Sequence, residues 1–212
     1  NSIVATPVIY QNRVYIATGE DPEAGEAQGD LWCIDAGRSG DVSAELVVDR
    51  DGRPVPPRRT KAVDKEAGER VGPNPNSAAV WHYRGRDANN DGKLDFKETM
   101  HRSLAMVAIQ DDLLVLGDFS GLVHCLDART GKVHWTHDLL AAVWGSPLLA
   151  DGKIYLATQD GDVLVLAMGK QYKELAKNGL GGAIYGSPVA AGDTLYIATG
   201  THLVAIGPDV PE

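Results

Sequence analysis

A module of about 40 residues recurs four times along the chain, and this repeat constrains the fold more than any other feature. The stretch "WGSPLLADGKIYLATQDGDVLVLAMG" begins at Trp144 and returns as "YGSPVAAGDTLYIATGTHLVAIG" from Tyr185, so Ser146-Pro147 reappears 41 residues later as Ser187-Pro188. The same step backwards leads to Ala105, and "ATPVIYQNRVYIATG" near the N-terminus supplies a fourth copy, with Thr6-Pro7 in the Ser-Pro place. A period of this length indicates a solenoid, a propeller or an array.

Each copy has the pattern of short antiparallel strands. Runs rich in Val, Ile, Leu and Tyr alternate with Gly, Asp and Asn, which mark tight turns. A fourth strand follows as "AAVWHYRG" (78–85), "KVHWTHDL" (132–139) and, more weakly, "QYKELAKN" (171–178). Because one such sheet cannot bury both of its faces, the sheets must stack on one another. The sequence therefore predicts an all-β fold, a β-propeller with about four blades; a β-sandwich with a coincidental repeat is the alternative.

The repeat also predicts where the blades begin and end. Blade 1 is expected over 3–85 with insertions at 20–28 and 41–76, followed by an inserted loop at 86–101. Blades 2, 3 and 4 are expected over 102–139, 144–178 and 185–207, and the last lacks an outer strand. The second insertion is polar and rich in proline, which predicts an extended surface loop, partly mobile.

One segment carries a resemblance to a known family. "CLDARTGKVHW" (125–135) places Asp127, Gly131 and Trp135 four residues apart, which resembles the repeat of the pyrroloquinoline-quinone-like (PQQ-like) propellers. That family includes quinoprotein alcohol dehydrogenases, BamB-like outer-membrane biogenesis lipoproteins and planctomycete-type exported proteins, and the chain looks most like the exported group. The resemblance is incomplete: Trp81 follows a long insertion, and the third copy lacks both the Asp and the Trp.

The resemblance implies further expectations. The tryptophan of each repeat should dock flat between neighbouring blades, and the stretch from Asp to Gly should form the turn between the third and fourth strands. Rings of this family usually close with seven or eight blades, so four copies imply part of a larger propeller. Extracytoplasmic localisation, in the periplasm or cell envelope, is implied as well.

Composition narrows the classes of partner. The chain carries 29 acidic and 20 basic residues, a net charge of −9, which argues against a nucleic-acid binder. No apolar run reaches the roughly 20 residues of a transmembrane helix. Cys33 and Cys125 occupy the same slot in two copies, too far apart for a disulfide, and are expected as buried free thiols.

The segment "RDANNDGKLDFKE" (86–98) fits the twelve-residue EF-hand calcium pattern. The expected oxygen ligands, by side chain or by backbone carbonyl at the lysine, are Asp87, Asn89, Asp91, Lys93, Asp95 and Glu98. An all-oxygen set of this kind selects calcium over zinc. The sequence predicts a structural calcium loop with a short exiting helix within 96–104; an empty turn rich in Asp and Asn is the alternative.

The chemistry-bearing residues do not compose an active site. The family's dehydrogenases use a vicinal pair of cysteines at the quinone, which the chain lacks, so PQQ is not expected as a cofactor. Trp144 and Tyr185 precede Gly-Ser-Pro at matched sites and are candidates either to line a central funnel or to pack between blades. The prediction is a non-enzymatic scaffold for protein or ligand binding, with a fragment of a PQQ-dependent dehydrogenase as the alternative. The expected partners are another protein or further propeller blades, with association through open sheet faces.

Overall fold

Residues 3–19, 28–55 and 59–208 are described by the computed structural model of this chain. They form four successive antiparallel sheets, the blades. Blade 1 consists of β1 (Val8–Tyr10), β2 (Arg13–Gly19), β3 (Gly29–Asp35) and β6 (Ala79–Tyr83); blade 2 of β7 (Ala108–Gln110), β8 (Leu113–Gly117), β9 (Leu122–Asp127) and β10 (Val133–Asp138). Blade 3 consists of β11 (Leu148–Ala150), β12 (Lys153–Ala157), β13 (Asp162–Ala167) and β14 (Glu174–Gly179); blade 4 of β15 (Val189–Ala191), β16 (Thr194–Ala198) and β17 (Leu203–Ile206).

The blades are meanders that stand side by side in an arc, so the all-β propeller fold is confirmed. In each blade the strands neighbour one another in chain order. Two-residue turns join the first two strands of blades 1–3, and both central residues have positive φ, at Gln11-Asn12, Asp111-Asp112 and Asp151-Gly152. Such turns match the twist of a hairpin. The first strand of blade 3 lies against the first strands of blades 2 and 4, which places these strands at the hub.

The alignment of blade 2 with blade 3 differs by one residue from the alignment that the sequence predicts. The first strands of blades 2 and 3 start 40 residues apart, at Ala108 and Leu148, and those of blades 3 and 4 start 41 apart. Met106, and not Ala105, therefore occupies the place of Ser146. The hydrogen bonds agree, because the amide of Met106 donates to Oγ of Ser146 (2.9 Å) and the amide of Ser146 donates to Oγ of Ser187 (2.8 Å). Blade 2 lacks the Ser-Pro marker that fixes the alignment elsewhere.

Apolar side chains fill the space between consecutive blades. Tyr15 and Leu31 of blade 1 pack with Leu114 of blade 2, and equivalent clusters join blades 2 and 3 and blades 3 and 4. Cys33 and Cys125 are buried free thiols within these clusters, as expected. Burial raises the pKa of Cys125 to about 12, so this thiol stays protonated.

The tryptophans of blades 1 and 2 lock each blade to the next. The indole Nε1 of Trp81 donates to the carbonyl of Ala128 (3.0 Å), and that of Trp135 donates to the carbonyl of Gly169 (3.0 Å). Both acceptors lie just after the third strand of the next blade. In blade 2 this is a turn that Asp127 stabilises by accepting from the amide of Thr130. In blade 3 the position paired with Val165 is held by Ala176, so this outer lock is absent there.

We predict that Gly131→Ala destabilises the chain far more than Gly152→Ala. Both glycines have positive φ, +72° and +66°, so alanine costs about 1–2 kcal/mol of backbone strain at either site. A Cβ at Gly131 would lie 2.7 Å from Cδ2 of Trp81, whereas nothing lies within 4 Å at Gly152. The clash adds about 1–3 kcal/mol. Urea unfolding of the two variants measures the difference, and equal losses would contradict the docking of Trp81.

The insertion at 41–76 contains a two-stranded ribbon that the sequence analysis missed. β4 (Glu45–Val48) pairs with β5 (Arg70–Pro73), and a one-turn 3₁₀ helix spans Thr60–Ala62. Asn74 anchors the ribbon by donating from Nδ2 to the carbonyls of Asp41 and Ser43. The ribbon corrects the expectation of an extended surface loop. The other insertion, 20–28, lies outside the described residues except for its last position.

Candidate functional site

The predicted calcium loop is a closed, solvent-exposed turn built by its own acidic residues. Oδ2 of Asp87 accepts from the amide of Gly92 (2.9 Å), and Gly92 has φ +84°, the sharp turn that the pattern requires. Oε1 of Glu98 accepts from the amide of Ala88 (2.9 Å), so the twelfth loop position lies beside the second. Oδ1 of Asn89 and of Asp91 accept from the amides of Asp91 and Lys93.

These carboxylates serve the backbone and do not converge on one point. Among residues 3–19, 28–55 and 59–208, no three His, Cys, Asp or Glu side chains are arranged to hold a metal. The donor chemistry of the loop still fits calcium, since Asp87, Asp91, Glu98 and the Asn89 amide offer only hard oxygen ligands.

The exiting helix expected within 96–104 is wrong. The amides of Glu98 and Thr99 both donate to the carbonyl of Asp95, which makes a single turn. Thr99 then bridges to Gly85, and the amide of Met100 donates to the carbonyl of Arg84. Because Thr99 and Met100 pair with the extended segment at Arg84 and Gly85, their backbone does not continue into a second helical turn.

A buried polar network lies beneath the connection from blade 1 to blade 2. Asp118 is fully buried in the turn between β8 and β9. Its carboxylate accepts from the amides of His101 (2.9 Å) and Leu122 (3.0 Å), from Oγ of Ser120 (2.8 Å) and from Nε2 of His124 (3.0 Å). Blades 3 and 4 close the equivalent turns with the hydroxyls of Thr158 and Thr199. Asp118 is therefore a feature that blade 2 does not share with blades 3 and 4.

The network determines the pKa of Asp118. Burial by itself raises the pKa of Asp118, but the hydrogen bonds from His101 and His124 outweigh burial and hold the pKa well below its ordinary value. Tyr83 extends the network to blade 1, with its hydroxyl 3.0 Å from Nδ1 of His124. Burial, together with the charge of Asp118, raises the pKa of Tyr83 far above its usual range. The network thus ties two blades together through charge and hydrogen bonds.

Arg102 lies next to this network, and among the described residues no acidic side chain forms an ion pair with it. Its side chain is more than nine-tenths buried, and neither Nε nor Nη1 has a hydrogen-bond partner. The guanidinium carbon stands 4.3 Å from the ring centroid of Phe119, an arrangement that satisfies the charge only in part. Native proteins leave few buried polar groups unsatisfied, and each one calls for an explanation, such as a functional role or a bound water or ion.

An aromatic row continues from Arg102 across three blades. The ring of Phe119 meets Trp144 edge-on at 4.9 Å, and Trp144 meets Tyr185 edge-on at 5.5 Å. Nε1 of Trp144 donates to Gln159 (2.8 Å), which fixes the indole. Phe119 and Trp144 are half-buried and Tyr185 is 52% exposed, so the row presents an apolar edge to solvent.

The row lies on one face of the arc, at the ends of the strands where the connections between blades run. Phe119 is in a turn between the second and third strands of its blade, while Arg102, Trp144 and Tyr185 lie in the segments that connect one blade to the next. The amide of Phe119 donates to the carbonyl of Arg102, which joins the two kinds of loop. We define Arg102, Phe119, Trp144 and Tyr185 as the aromatic–arginine surface. The sequence pointed to Trp144 and Tyr185, but nothing in it marked Arg102, because an unpaired charge becomes visible only after folding.

The described part of the chain has no helix with the length and apolar character needed to cross a bilayer.

Comparisons with known proteins place the chain in a family. The family model described as outer membrane protein assembly factor BamB matches residues 58–209. BamB of Kangiella koreensis is 30% identical over 173 residues, which covers 76% of this chain and 37% of that protein. BamB of Shewanella oneidensis is 29% identical over 72 residues, covering 34% of this chain and 18% of that protein. The chain thus spans less than two fifths of either curated relative.

A solved structure agrees on the fold. The quinohemoprotein alcohol dehydrogenase of Pseudomonas putida HK5 superposes with a TM-score of 0.54 at 16% identity, covering 93% of this chain and 28% of that one. At such identity the likeness shows the fold alone. With the family model matching most of the chain, including blades 2 to 4, the protein belongs to the BamB family of PQQ-like repeat propellers.

Proposed function

We propose that the chain is a non-enzymatic propeller scaffold of the cell envelope that binds a protein partner through the aromatic–arginine surface. The observation that carries the proposal is Arg102, a buried cation without hydrogen-bond partners at Nε and Nη1, next to a row of half-exposed aromatic rings. Membership of a family of outer membrane protein assembly factors supports both the location and a role in protein assembly.

Nε and Nη1 of Arg102 have no hydrogen-bond partner among the described residues. A guanidinium stays charged at every relevant pH, and a buried charge without a counter-ion is costly. A carboxylate of a partner that reaches the guanidinium would form charge-assisted hydrogen bonds with it. Arginine, tryptophan and tyrosine are also the residues that dominate binding energy at protein interfaces. The surface therefore fits a partner segment with an acidic side chain beside apolar ones.

The test is photo-crosslinking in the envelope. A photoreactive residue at Tyr185, in protein exported to the periplasm, is expected to capture a defined partner, and Arg102→Met is expected to reduce the yield about tenfold or more. Arg129→Met, an exposed arginine at the opposite ends of the strands, is the matched control. Because Arg102→Met removes an uncompensated buried charge, the melting temperature should not fall. A cross-linking yield that does not change in the Arg102→Met variant would refute the proposal.

Catalysis by a bound quinone is the competing function, because the fold is shared with an alcohol dehydrogenase. We expect no dye reduction when PQQ, calcium and short alcohols are added to the purified chain. Turnover that rises with added PQQ would replace the scaffold proposal by a dehydrogenase fragment.

We further propose that calcium binds the loop at Asp87, Asn89, Asp91, Lys93, Asp95 and Glu98 and stabilises the crossover from blade 1 to blade 2. Loops of the extracellular type bind calcium with dissociation constants of about 10⁻⁴–10⁻³ M. At a calcium concentration tenfold above that constant, the stabilisation is about 1.4 kcal/mol.

Calorimetric titration and melting curves test the calcium site. Glu98→Gln is expected to abolish both the heat of binding and the calcium-dependent rise in melting temperature, because it removes the ligand that closes the loop. Asp193→Asn, an exposed acidic change in the turn of blade 4, should leave both unchanged. An unaltered wild-type melting temperature and no heat at millimolar calcium would exclude the site.

A further inference from the structure

Leu140 combines a strained backbone with an exposed apolar side chain. It lies in the connection from blade 2 to blade 3 and has φ +58°, a left-handed conformation that is unfavourable for a bulky residue. The other non-glycine residues with positive φ in the described ranges are polar, and all but one are asparagine or aspartate, which tolerate this conformation. Blade 3 has Gly181, with φ +72°, at the equivalent position 41 residues later. In both blades the preceding residue donates its amide to the glycine just before the third strand, which fixes the equivalence.

The side chain of Leu140 does not stabilise the fold. It is 81% exposed, and among the described residues it belongs to none of the apolar clusters that join the blades. It lies between blades 2 and 3, and the structure describes both of them. A strained and exposed leucine therefore lowers stability without forming a contact within the chain that compensates for it. Strain of this kind persists only where the surroundings enforce it, and it is typical of functional sites.

The backbone at Leu140 is held by contacts on either side. Oδ1 of Asp138 accepts from the amide of Leu140 (2.9 Å), and Oδ2 of the same carboxylate pairs with Nζ of Lys97 (3.2 Å). The amide of Leu139 donates to the carbonyl of Gly121 (2.9 Å). These contacts enforce the unfavourable conformation and present the leucine side chain to solvent from a fixed backbone.

Leu140 lies beside the aromatic–arginine surface. The same connection carries Trp144, and Gly121, which accepts from Leu139, belongs to the same turn as Phe119. The rings of Phe119 and Trp144 meet at 4.9 Å. The turn and the connection therefore touch at two points, one before and one after Leu140, which places this leucine on the same face of the arc as the surface.

We propose that Leu140 is a contact residue for the protein partner of the aromatic–arginine surface, and that an apolar side chain of that partner covers it. This inference rests on the proposed function, because it adds a residue to the same interface. A protein segment fits this place better than a lipid surface, since the chain carries a net charge of −9, which disfavours adsorption to anionic membranes. The apolar contact at Leu140 complements the acidic contact expected at Arg102.

Cross-linking yield and melting temperature, measured on the same variants, test the assignment. Leu140→Gly removes the strain and the side chain together. The melting temperature is therefore expected to rise by about 2 °C, while the yield from a photoreactive residue at Tyr185 falls about tenfold. Leu140→Ala keeps the strain and should lower the yield at an unchanged melting temperature. Leu175→Ala is the control, because this leucine is 46% exposed on the outer strand of blade 3, and it should leave the yield unchanged.

The outcomes separate this inference from the proposed function. A yield that falls in Arg102→Met but in neither Leu140 variant overturns the inference alone, whereas a yield that falls in none of the three overturns both. A lower melting temperature for Leu140→Gly would show that the leucine stabilises the fold, and also overturns the inference. So does sedimentation of the wild-type chain with vesicles of phosphatidylethanolamine and phosphatidylglycerol that Leu140→Gly abolishes, because it would assign Leu140 to a membrane contact.

Discussion

Asp118→Leu is expected to lower the free energy of unfolding by about 3–5 kcal/mol, the typical loss when one partner of a buried charged network is removed. The leucine would leave the amides of His101 and Leu122, and Nε2 of His124, without their acceptor in a fully buried site. Asp127→Leu is the matched control, because Asp127 also accepts several hydrogen bonds but lies in a surface turn. Urea unfolding measures both. A loss at Asp118 no larger than that at Asp127 would show that the network does not stabilise the fold.

The same residue makes stability depend on pH in a defined direction. Since the folded-state pKa of Asp118 is lowered, its ionisation contributes stability that is fully present above the unfolded pKa of about 3.9. That contribution is lost as the pH falls below this value toward the folded pKa. The difference in unfolding free energy between wild type and Asp118→Asn should therefore be constant near neutrality and shrink below about pH 4. A difference that persists unchanged in acid would contradict the lowered pKa.

Trp135→Ala is expected to cost about 3–5 kcal/mol, the range for deleting a large aromatic side chain from a core. Trp135 is buried between blades 2 and 3, donates to the carbonyl of Gly169 and meets Tyr172 edge-on at 5.5 Å. Its removal leaves a cavity and an unsatisfied carbonyl at the junction. Trp32→Ala is the control, because Trp32 is only half-buried and stacks on His82. Thermal unfolding that ranks the two variants in the reverse order would contradict the docking role.

The fold could be predicted from the sequence because each blade repeats the same local pattern. Short apolar runs with turn residues at fixed places define the strands, and Trp135 marks where one blade meets the next. The one-residue error at Ala105 arose where that pattern is weakest, since blade 2 has Met106 in place of serine. The β4–β5 ribbon was missed because Glu45–Val48 is four residues long and pairs with a partner more than twenty residues away.

The buried residues of the candidate site could not be predicted from the sequence, for a different reason. Tyr83, His101 and Asp118 come from a strand, a connection and a turn that are distant in the sequence, so only the stacking of blades brings them together. Arg102 reads as an ordinary surface arginine until the structure buries it. The calcium loop differs from these residues because all of its expected ligands lie within residues 87–98, so the sequence alone predicts them.

Blades 1 and 2 each dock on the next blade in the chain through a tryptophan, and nuclear Overhauser contacts of the indole protons test this stacking most directly. The four tryptophan signals can be assigned by single substitutions. We expect contacts from the Trp81 indole to Ala128 and Gly131, and from the Trp135 indole to Gly169. An indole of Trp81 or Trp135 that contacts only its own blade, or a blade that is not the next in the chain, would contradict the stacking.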